Sequence, residues 1–108
     1  MARALIHMPA SARPGQIIEI RALIGHPMET GYRVGADGKL LARDIVRSFV
    51  CRYNGEQVFG AELHQAISAN PYIAFFTVAT ESGTLDFTWQ GDNGFTHTEK
   101  MTLTVNAS

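Results

Sequence analysis

Cysteine is almost absent from this chain, and long apolar runs are missing altogether. Cys51 is the single cysteine among 108 residues, which excludes an intrachain disulfide and a zinc site built from several thiolates. No apolar run approaches the roughly 20 residues that a membrane-spanning helix requires. The chain must therefore be stabilised by its own hydrophobic core, and a hydrophobic fraction of 45% is enough to form one.

Neither positive nor negative charge predominates in this chain. The formal net charge is −1, and Lys and Arg form no run. Binding to nucleic acid or to an anionic membrane depends on a basic patch that neutralises phosphates, so the sequence predicts neither partner. A chain of 108 residues predicts one domain, covering residues 1–108.

The first nine residues carry no recognisable export signal. Met1–Pro9 contains one basic residue, Arg3, and an apolar run much shorter than the ~7–15 residues of a cleavable signal peptide. Taken alone, this pattern predicts a cytoplasmic protein. It fits equally a mature chain, or one that is exported together with a signal-bearing partner.

Apolar and polar side chains alternate along most of the chain with the period of β-strands. In 17–24 every even-numbered residue is apolar, while Glu19 and Arg21 lie between them. The same alternation, with turns such as Asn54-Gly55 between the runs, predicts seven strands. We place them at about 3–7, 16–24, 45–53, 56–63, 73–80, 84–90 and 95–105. These strands predict an all-β, immunoglobulin-like sandwich, with a small open barrel as the alternative and a short helical turn over 65–68.

Two of the predicted strands are apolar on both faces. In the strand 45–53, Ile45, Phe49, Cys51 and Tyr53 oppose Val46 and Val50. In the strand 73–80, Ile73, Phe75 and Ala79 oppose Ala74, Phe76 and Val78. Only one face of a sandwich strand meets the core, so the second face needs a covering loop, a partner or a third layer. The sequence does not decide between a loop and a protein interface.

Residues that could carry chemistry are few and scattered. His26 and Met28 form a His-x-Met pair that suits copper(I), although they equally fit a capped loop with a packed methionine. Cys51 lies in mid-strand and predicts a buried, inert thiol, with a subunit contact or an interchain disulfide as alternatives. The carboxylates show no paired spacing, and no glycine-rich loop precedes a helix. The sequence therefore predicts no catalytic residue, no metal and no cofactor.

Several ordered segments resemble one known family over nearly the whole chain. They are His26–Arg33, Phe49–Gly55, Ile67–Tyr72, Ala79–Leu85 and Asp92–Gly94. Together these segments resemble the SoxZ family, the Z subunits of the sulfur-oxidation carrier complex SoxYZ. Ordered matches of this kind are more specific than a single short motif.

The resemblance implies an immunoglobulin-like fold and a place in periplasmic thiosulfate oxidation. It implies a heterodimer in which the Y subunit holds the sulfur intermediate on a cysteine in a mobile Gly-Gly-Cys-Gly-Gly tail, while the Z subunit holds none. The segment Leu103–Ser108 has neither cysteine nor glycine, as expected of the Z half. The family's Y subunit carries the export signal, so the resemblance predicts a periplasmic location in place of the cytoplasmic one.

We therefore expect a non-catalytic scaffold that binds the Y subunit and, through the complex, other sulfur-oxidation enzymes. The candidate partner-binding residues are Met28, Tyr32, Arg33, Phe49, Val50, Tyr53, Tyr72, Ile73 and Phe75. A Phe75→Glu change is expected to abolish the heterodimer without unfolding the chain. The isolated chain is expected to form homodimers through its exposed face. A small copper-binding sandwich and a generic immunoglobulin-like interaction module remain as alternative functions.

Overall fold

The computed structural model of the protein describes residues 3–64, 67 and 69–106. Its strands are β1 Ala4–His7, β2 Ser11–Ala12, β3 Ile17–Ile24, β4 Val46–Tyr53, β5 Glu56–Glu62, β6 Tyr72–Val78, β7 Gly83–Gly91 and β8 Thr96–Val105. All seven predicted strands are present, and their ends lie within two residues of the prediction. The two-residue strand β2 was missed because it is too short to show any alternation.

The strands form two sheets. One sheet has three strands in the order β1-β3-β6, and the other has five in the order β2-β8-β7-β4-β5. Neighbouring strands are antiparallel, except that β2 runs parallel to β8. Buried side chains from both sheets belong to one core cluster. The predicted two-sheet sandwich is confirmed, and the open barrel is wrong.

The core is built from the inward faces of both sheets. Its largest fully buried side chains are Trp89, Phe49, Phe87, Ile18, Ile20, Ile24, Leu85, Leu103, Val46 and Cys51. Phe49 is at the centre, because its ring centroid lies 5.1 Å from that of Trp89, 6.0 Å from Phe75 and 6.3 Å from Phe87. Aromatic rings at these spacings add to the stability that burial alone provides.

A bulge in β4 corrects the predicted faces of that strand. The pairing with β7 shifts between Val46 and Ser48, so β4 contains one more residue than β7 over this step. Val46 therefore points into the core with Phe49, although simple alternation placed it on the opposite face. The second apolar face predicted for this strand is reduced to the half-buried Val50.

Tight turns fix the ends of the strands. Asn54 and Gly55 both have positive φ, 51° and 85°, as the predicted Asn-Gly hairpin requires. The Asn54 Oδ1 atom accepts a hydrogen bond from the Thr84 amide at 3.0 Å. Gly83 makes room for this contact, because a Cβ at that position would lie 1.8 Å from Asn54 Oδ1. The hairpin is thereby held against the neighbouring turn.

Helical structure is limited in the described part of the chain to the 3-10 turn Asp92–Gly94, one of the segments that carry the family resemblance. Asn93 and Gly94 have positive φ there, 59° and 74°. The short helical turn predicted over 65–68 falls largely on residues outside those that the structure describes. Among the described residues, no helix is long and apolar enough to cross a membrane.

Candidate partner-binding surface

The three-stranded sheet turns an apolar face to solvent. Its exposed side chains are Leu5 (64%), Ile17 (67%), Tyr72 (58%), Phe76 (65%) and Val78 (46%). They alternate with the inward residues of β1, β3 and β6, so all of them point away from the core. At this exposure, neither a loop nor a third layer of the described chain covers them. We call this surface the outer apolar face; it also includes Leu23, Ala74, Glu19 and Arg21, with His7 beside Arg21.

One ion pair lies at the centre of the outer apolar face. The Arg21 guanidinium is 3.0 Å from the Glu19 carboxylate, and the two side chains are 52% and 40% exposed. Strand pairing places Glu19 opposite Phe76 and Arg21 opposite Ala74. Ile17 and Val78 form one apolar end, while Leu23, Tyr72 and Leu5 form the other. The charges therefore lie between two apolar ends.

The outer face of the five-stranded sheet has a different character. Its exposed and half-buried positions include Thr88, Thr98, Arg52, Asp86 and Lys100, in adjacent cross-strand rows. Thr88 and Thr98 are joined by a hydrogen bond of 3.2 Å between their hydroxyls. A polar face of this kind is stable in water without a covering partner. The outer apolar face is therefore the surface better suited to protein binding.

The structure places the predicted contact residues in different environments. Met28, Phe49, Tyr53 and Phe75 are buried in the core, Val50 and Ile73 are half-buried, and Tyr32, Arg33 and Tyr72 are exposed. The four buried residues offer no surface to a partner. The buried position of Phe75 contradicts its choice as a contact residue. Phe75→Glu would place a carboxylate in the core, so we expect this variant to be destabilised.

Sequence reasoning missed most of the outer apolar face. Leu5, Ile17, Phe76 and Val78 were not among the candidates, and only Tyr72 was. The signal was present in the strand 73–80, where Phe76 and Val78 oppose the inward Phe75. Phe75 was chosen as the exposed residue although it lies on the face of β6 that meets the core. Only the tertiary structure identifies which face that is.

The segments that carry the family resemblance meet at hydrogen-bonded joints. The Asn70 amide donates to the His26 carbonyl at 2.7 Å, and the His26 amide donates to Asn70 Oδ1 at 3.0 Å. The Tyr53 hydroxyl accepts from the amides of Thr80 (3.2 Å) and Glu81 (3.1 Å) and donates to the Glu81 carbonyl. These residues join loops to strands, so their hydrogen bonds serve the architecture.

The pair proposed as copper ligands is one of these joints. His26 Nδ1 accepts a hydrogen bond from the Met28 amide at 3.0 Å, and Met28 Sδ accepts one from the Val46 amide at 3.2 Å. Both side chains are buried, and Met28 has a positive φ of 52°. The Met28 sulfur and the Nδ1 atom of His26 are thus engaged with backbone amides, while the Nε2 atom of His26 lies 3.6 Å from the Asp44 carboxylate. Among the described residues, no group of three or more His, Cys, Asp or Glu side chains could hold a metal ion.

The long loop between β3 and β4 begins at this joint and presents exposed residues. The amides and carbonyls of Glu29 and Asp44 pair at 2.8 and 2.7 Å at its base. Arg33 binds the Glu29 carboxylate at 2.6 Å, and this contact lowers the pKa of Glu29. Tyr32 beside it is 74% exposed. Tyr32 and Arg33 are therefore accessible, as their prediction as contact residues requires.

An ion pair ties the end of the long loop to the 3-10 turn. The Arg43 guanidinium contacts both Asp92 carboxylate oxygens, at 2.8 and 2.9 Å, and these bonds lower the pKa of Asp92. A groove of about 750 Å³ lies beside this pair and is also lined by Arg47, Glu62 and His64. Arg43 is paired with Asp92, and Arg47 and Glu62 contribute opposite charges to the lining. The groove therefore has no strong preference for a charged ligand.

The single thiol is unsuited to chemistry. Cys51 is fully buried on the inward face of β4. Burial, assisted by the negative charge of Asp86, raises the pKa of this thiol to about 12. Because the thiolate is the reactive form, Cys51 is neither an effective nucleophile nor a metal ligand near neutral pH. The predicted buried thiol is confirmed.

Solved structures with a similar fold include superoxide reductases. The chain is similar to a superoxide reductase (neelaredoxin) from Ignicoccus hospitalis, with a TM-score of 0.71 and 16% identity over 95% of this chain and 80% of that one. It is similar to a putative superoxide reductase from Thermotoga maritima, with a TM-score of 0.71 and 15% identity over 95% and 85%. At these identities the likeness shows the fold alone.

A sulfur carrier protein is also among the similar solved structures. The chain is similar to the sulfur carrier protein SoxY from Chlorobium limicola f thiosulfatophilum, with a TM-score of 0.65 and 12% identity over 95% of this chain and 78% of that one. The fold thus defines a class of immunoglobulin-like sandwiches that includes a sulfur carrier protein. By sequence, no curated protein matches the chain.

A match to a protein-family model over most of the chain identifies the family. The model of the family described as "Sulphur oxidation protein SoxZ" matches residues 6–102. The chain therefore belongs to the SoxZ family and is a subunit of a sulfur-oxidation system. The resemblance drawn from the five sequence segments is confirmed.

Proposed function

We propose that this chain is a non-catalytic scaffold subunit of a SoxYZ-type carrier complex in the periplasm. Its outer apolar face binds a SoxY-like subunit whose Gly-Gly-Cys-Gly-Gly tail holds the sulfur intermediate. The observation that carries the proposal is the outer apolar face itself, because a stable soluble protein rarely leaves such a surface uncovered. Family membership supplies the identity of the partner.

The geometry of the site favours binding over catalysis. The one thiol is buried with a raised pKa of about 12, and the side chains of the copper candidates are engaged with backbone amides. The segments that resemble the family serve as joints between loops and strands. A chain organised in this way supplies a rigid body.

A rigid body has a defined use in a carrier complex. A glycine-rich tail behaves as a flexible coil, and its reach is measured from the body to which it is attached. Enzymes that dock on that body meet the tethered sulfur at a high effective concentration. Tyr32 and Arg33 on the exposed long loop are available for such docking. The chain would thus bind the carrier through one surface and its enzymes through another.

Co-expression with the SoxY-like subunit of the same source tests the proposal. Phe76→Glu places a charge on the outer apolar face and is expected to weaken the heterodimer at least about 100-fold, because a central apolar contact is replaced by a desolvated carboxylate. The matched control is Thr88→Glu on the outer face of the five-stranded sheet, which should leave the affinity unchanged. Affinity is measured by calorimetric titration, and folding by circular dichroism.

Two results would contradict the proposal. If folded Phe76→Glu binds the SoxY-like subunit as tightly as the unchanged chain, the outer apolar face is not the interface. If the unchanged chain purifies from the periplasm without any cysteine-tailed companion, the scaffold role itself is wrong.

A further inference from the structure

We infer that the outer apolar face is self-complementary, and that in the absence of its partner the chain forms a homodimer through this face with a defined two-fold geometry. The inference rests on the proposed function in one respect, since the second copy occupies the surface that the SoxY-like subunit later takes. Apolar sheet faces pack against one another about 10 Å apart with their strands nearly aligned.

The arrangement of side chains on β3 suggests where the two-fold axis lies. The outward residues run in the order Ile17, Glu19, Arg21 and Leu23, and strand pairing places Val78, Phe76, Ala74 and Tyr72 beside them in that order. Consider a two-fold axis that lies in the plane of the interface, perpendicular to the strands, and crosses β3 at Ile20. Rotation about this axis reverses the strand direction in the second copy. It places β3 over β3 and β6 over β6.

This operation matches unlike side chains along both strands. Glu19 of one copy lies over Arg21 of the other, and Ile17 lies over Leu23. On β6, the large Phe76 lies over the small Ala74, and Val78 over Tyr72. Large rings packed over small residues fill the space between two sheets without gaps. Each charge that is removed from water acquires a second partner of opposite sign.

The other face-to-face arrangement is disfavoured by charge. A two-fold axis parallel to the strands would place Glu19 over Glu19 and Arg21 over Arg21, and would lay β6 over β1. Like charges held opposite each other at an interface are repulsive, so they exclude a competing arrangement. The ion pair at 3.0 Å on the isolated face therefore selects the antiparallel homodimer. A two-fold contact of this kind closes on itself and does not form fibres.

Charge reversal gives a sharp test that uses this chain alone. Glu19→Arg makes the centre of the face wholly positive, and Arg21→Glu makes it wholly negative. Each single variant should show at least about a tenfold weaker self-association in sedimentation equilibrium, because like charges then meet across the axis. An equimolar mixture of the two should recover the dimer, and native mass spectrometry should show it as the mixed species.

The exchanged double variant tests the orientation. Glu19→Arg with Arg21→Glu restores opposite charges within a homodimer, so this variant should pair with itself and exclude the unchanged chain. Glu62→Arg, an exposed reversal at the end of edge strand β5, is the matched control and should leave self-association unchanged. Recovery in the mixture also shows that both single variants are folded.

The outcomes separate this inference from the proposed function. A strictly monomeric chain at high concentration, or single variants that dimerise normally, would overturn the homodimer even where Phe76→Glu loses the SoxY-like subunit. A dimer that follows the charge rules, combined with normal partner binding by Phe76→Glu, would uphold the homodimer and overturn the heterodimer surface. A mixture that fails to recover would overturn the antiparallel geometry.

Discussion

The two sheets of this protein share one core, but their outer faces differ in chemistry. The outer face of the three-stranded sheet carries Ile17, Tyr72, Phe76 and Val78, all substantially exposed. The outer face of the five-stranded sheet is rich in threonine and charge, including the hydrogen-bonded pair Thr88 and Thr98. Both faces have strand periodicity, and both have β-branched or aromatic residues that suit a pleated surface. They differ in how favourably they contact water: the polar face is stable when solvated, whereas exposure of the apolar face is unfavourable.

This difference shows how a small sandwich distinguishes a binding surface from a solvated one. In a sheet that is covered on one side, apolar residues alternate with polar residues along each strand, as they do in β7 and β8. A strand that is apolar on both faces, such as β6, is typical of a sheet that is covered on both sides. Nothing in the described chain covers the outer face of β6, and the proposed partner would supply that cover.

The largest expected effect contrasts the core with the outer apolar face. Phe49→Ala should lower the free energy of unfolding by about 3–5 kcal/mol, because it leaves a cavity among Trp89, Phe75 and Phe87. Phe76→Ala removes an equal volume from a side chain that is 65% exposed and should cost under about 1 kcal/mol. Urea denaturation of dilute protein measures both. Equal losses would show that the two phenylalanines do not differ in burial.

A smaller effect tests how completely the shared core excludes water. The pKa of Cys51 is raised from 9.0 to about 12, so below pH 9 the thiol is neutral in both the folded and the unfolded state. Between about pH 9 and 12 only the unfolded chain ionises, and the free energy of unfolding should fall by about 1.4 kcal/mol per pH unit. The measurement is the difference between the unchanged chain and Cys51→Ala, since other groups titrate equally in both. A constant difference would place the thiol in contact with solvent.

The smallest effect comes from exchanging the chemistry of the two outer faces. Phe76→Thr with Val78→Thr makes the three-stranded face resemble the five-stranded one, and should shorten retention on a hydrophobic-interaction column. Thr88→Val with Thr98→Val is the reciprocal change and should lengthen it, because the exposed apolar area increases. Unfolding free energies should change by under about 1 kcal/mol in both. Unchanged retention after the first exchange would show that the outer apolar face does not dominate the surface.

Much of the fold was predictable because alternation is a local signal. The run 17–24 places Ile18, Ile20 and Ala22 on one face whatever the rest of the chain does, and the structure buries all three. Asn54-Gly55 likewise predicts its own turn, since both residues adopt positive φ. The bulge at Val46 escaped prediction, because an extra residue in one strand is determined by the pairing with β7.

The candidate binding surface was predicted less well, for a related reason. Tyr72, Tyr32 and Arg33 were identified and are exposed, whereas Phe49, Tyr53, Met28 and Phe75 were identified and are buried. Alternation assigns residues to the two faces of a strand, but it does not identify which face is buried and which is exposed. In β6 both faces are apolar, so the sequence leaves the choice between Phe75 and Phe76 open.

The sequence by itself determined the all-β class, the strand positions and the hairpin at Asn54, because each depends on residues close together in the chain. It also determined membership of a sulfur-oxidation family, because that depends on the order of residue types along the chain. Tertiary structure alone decided that Phe75 packs inward while Phe76 faces solvent, that His26 and Asn70 form a joint, and that Glu19 and Arg21 lie between two apolar ends. These outcomes depend on which sheet faces meet, and strands distant in sequence decide that together.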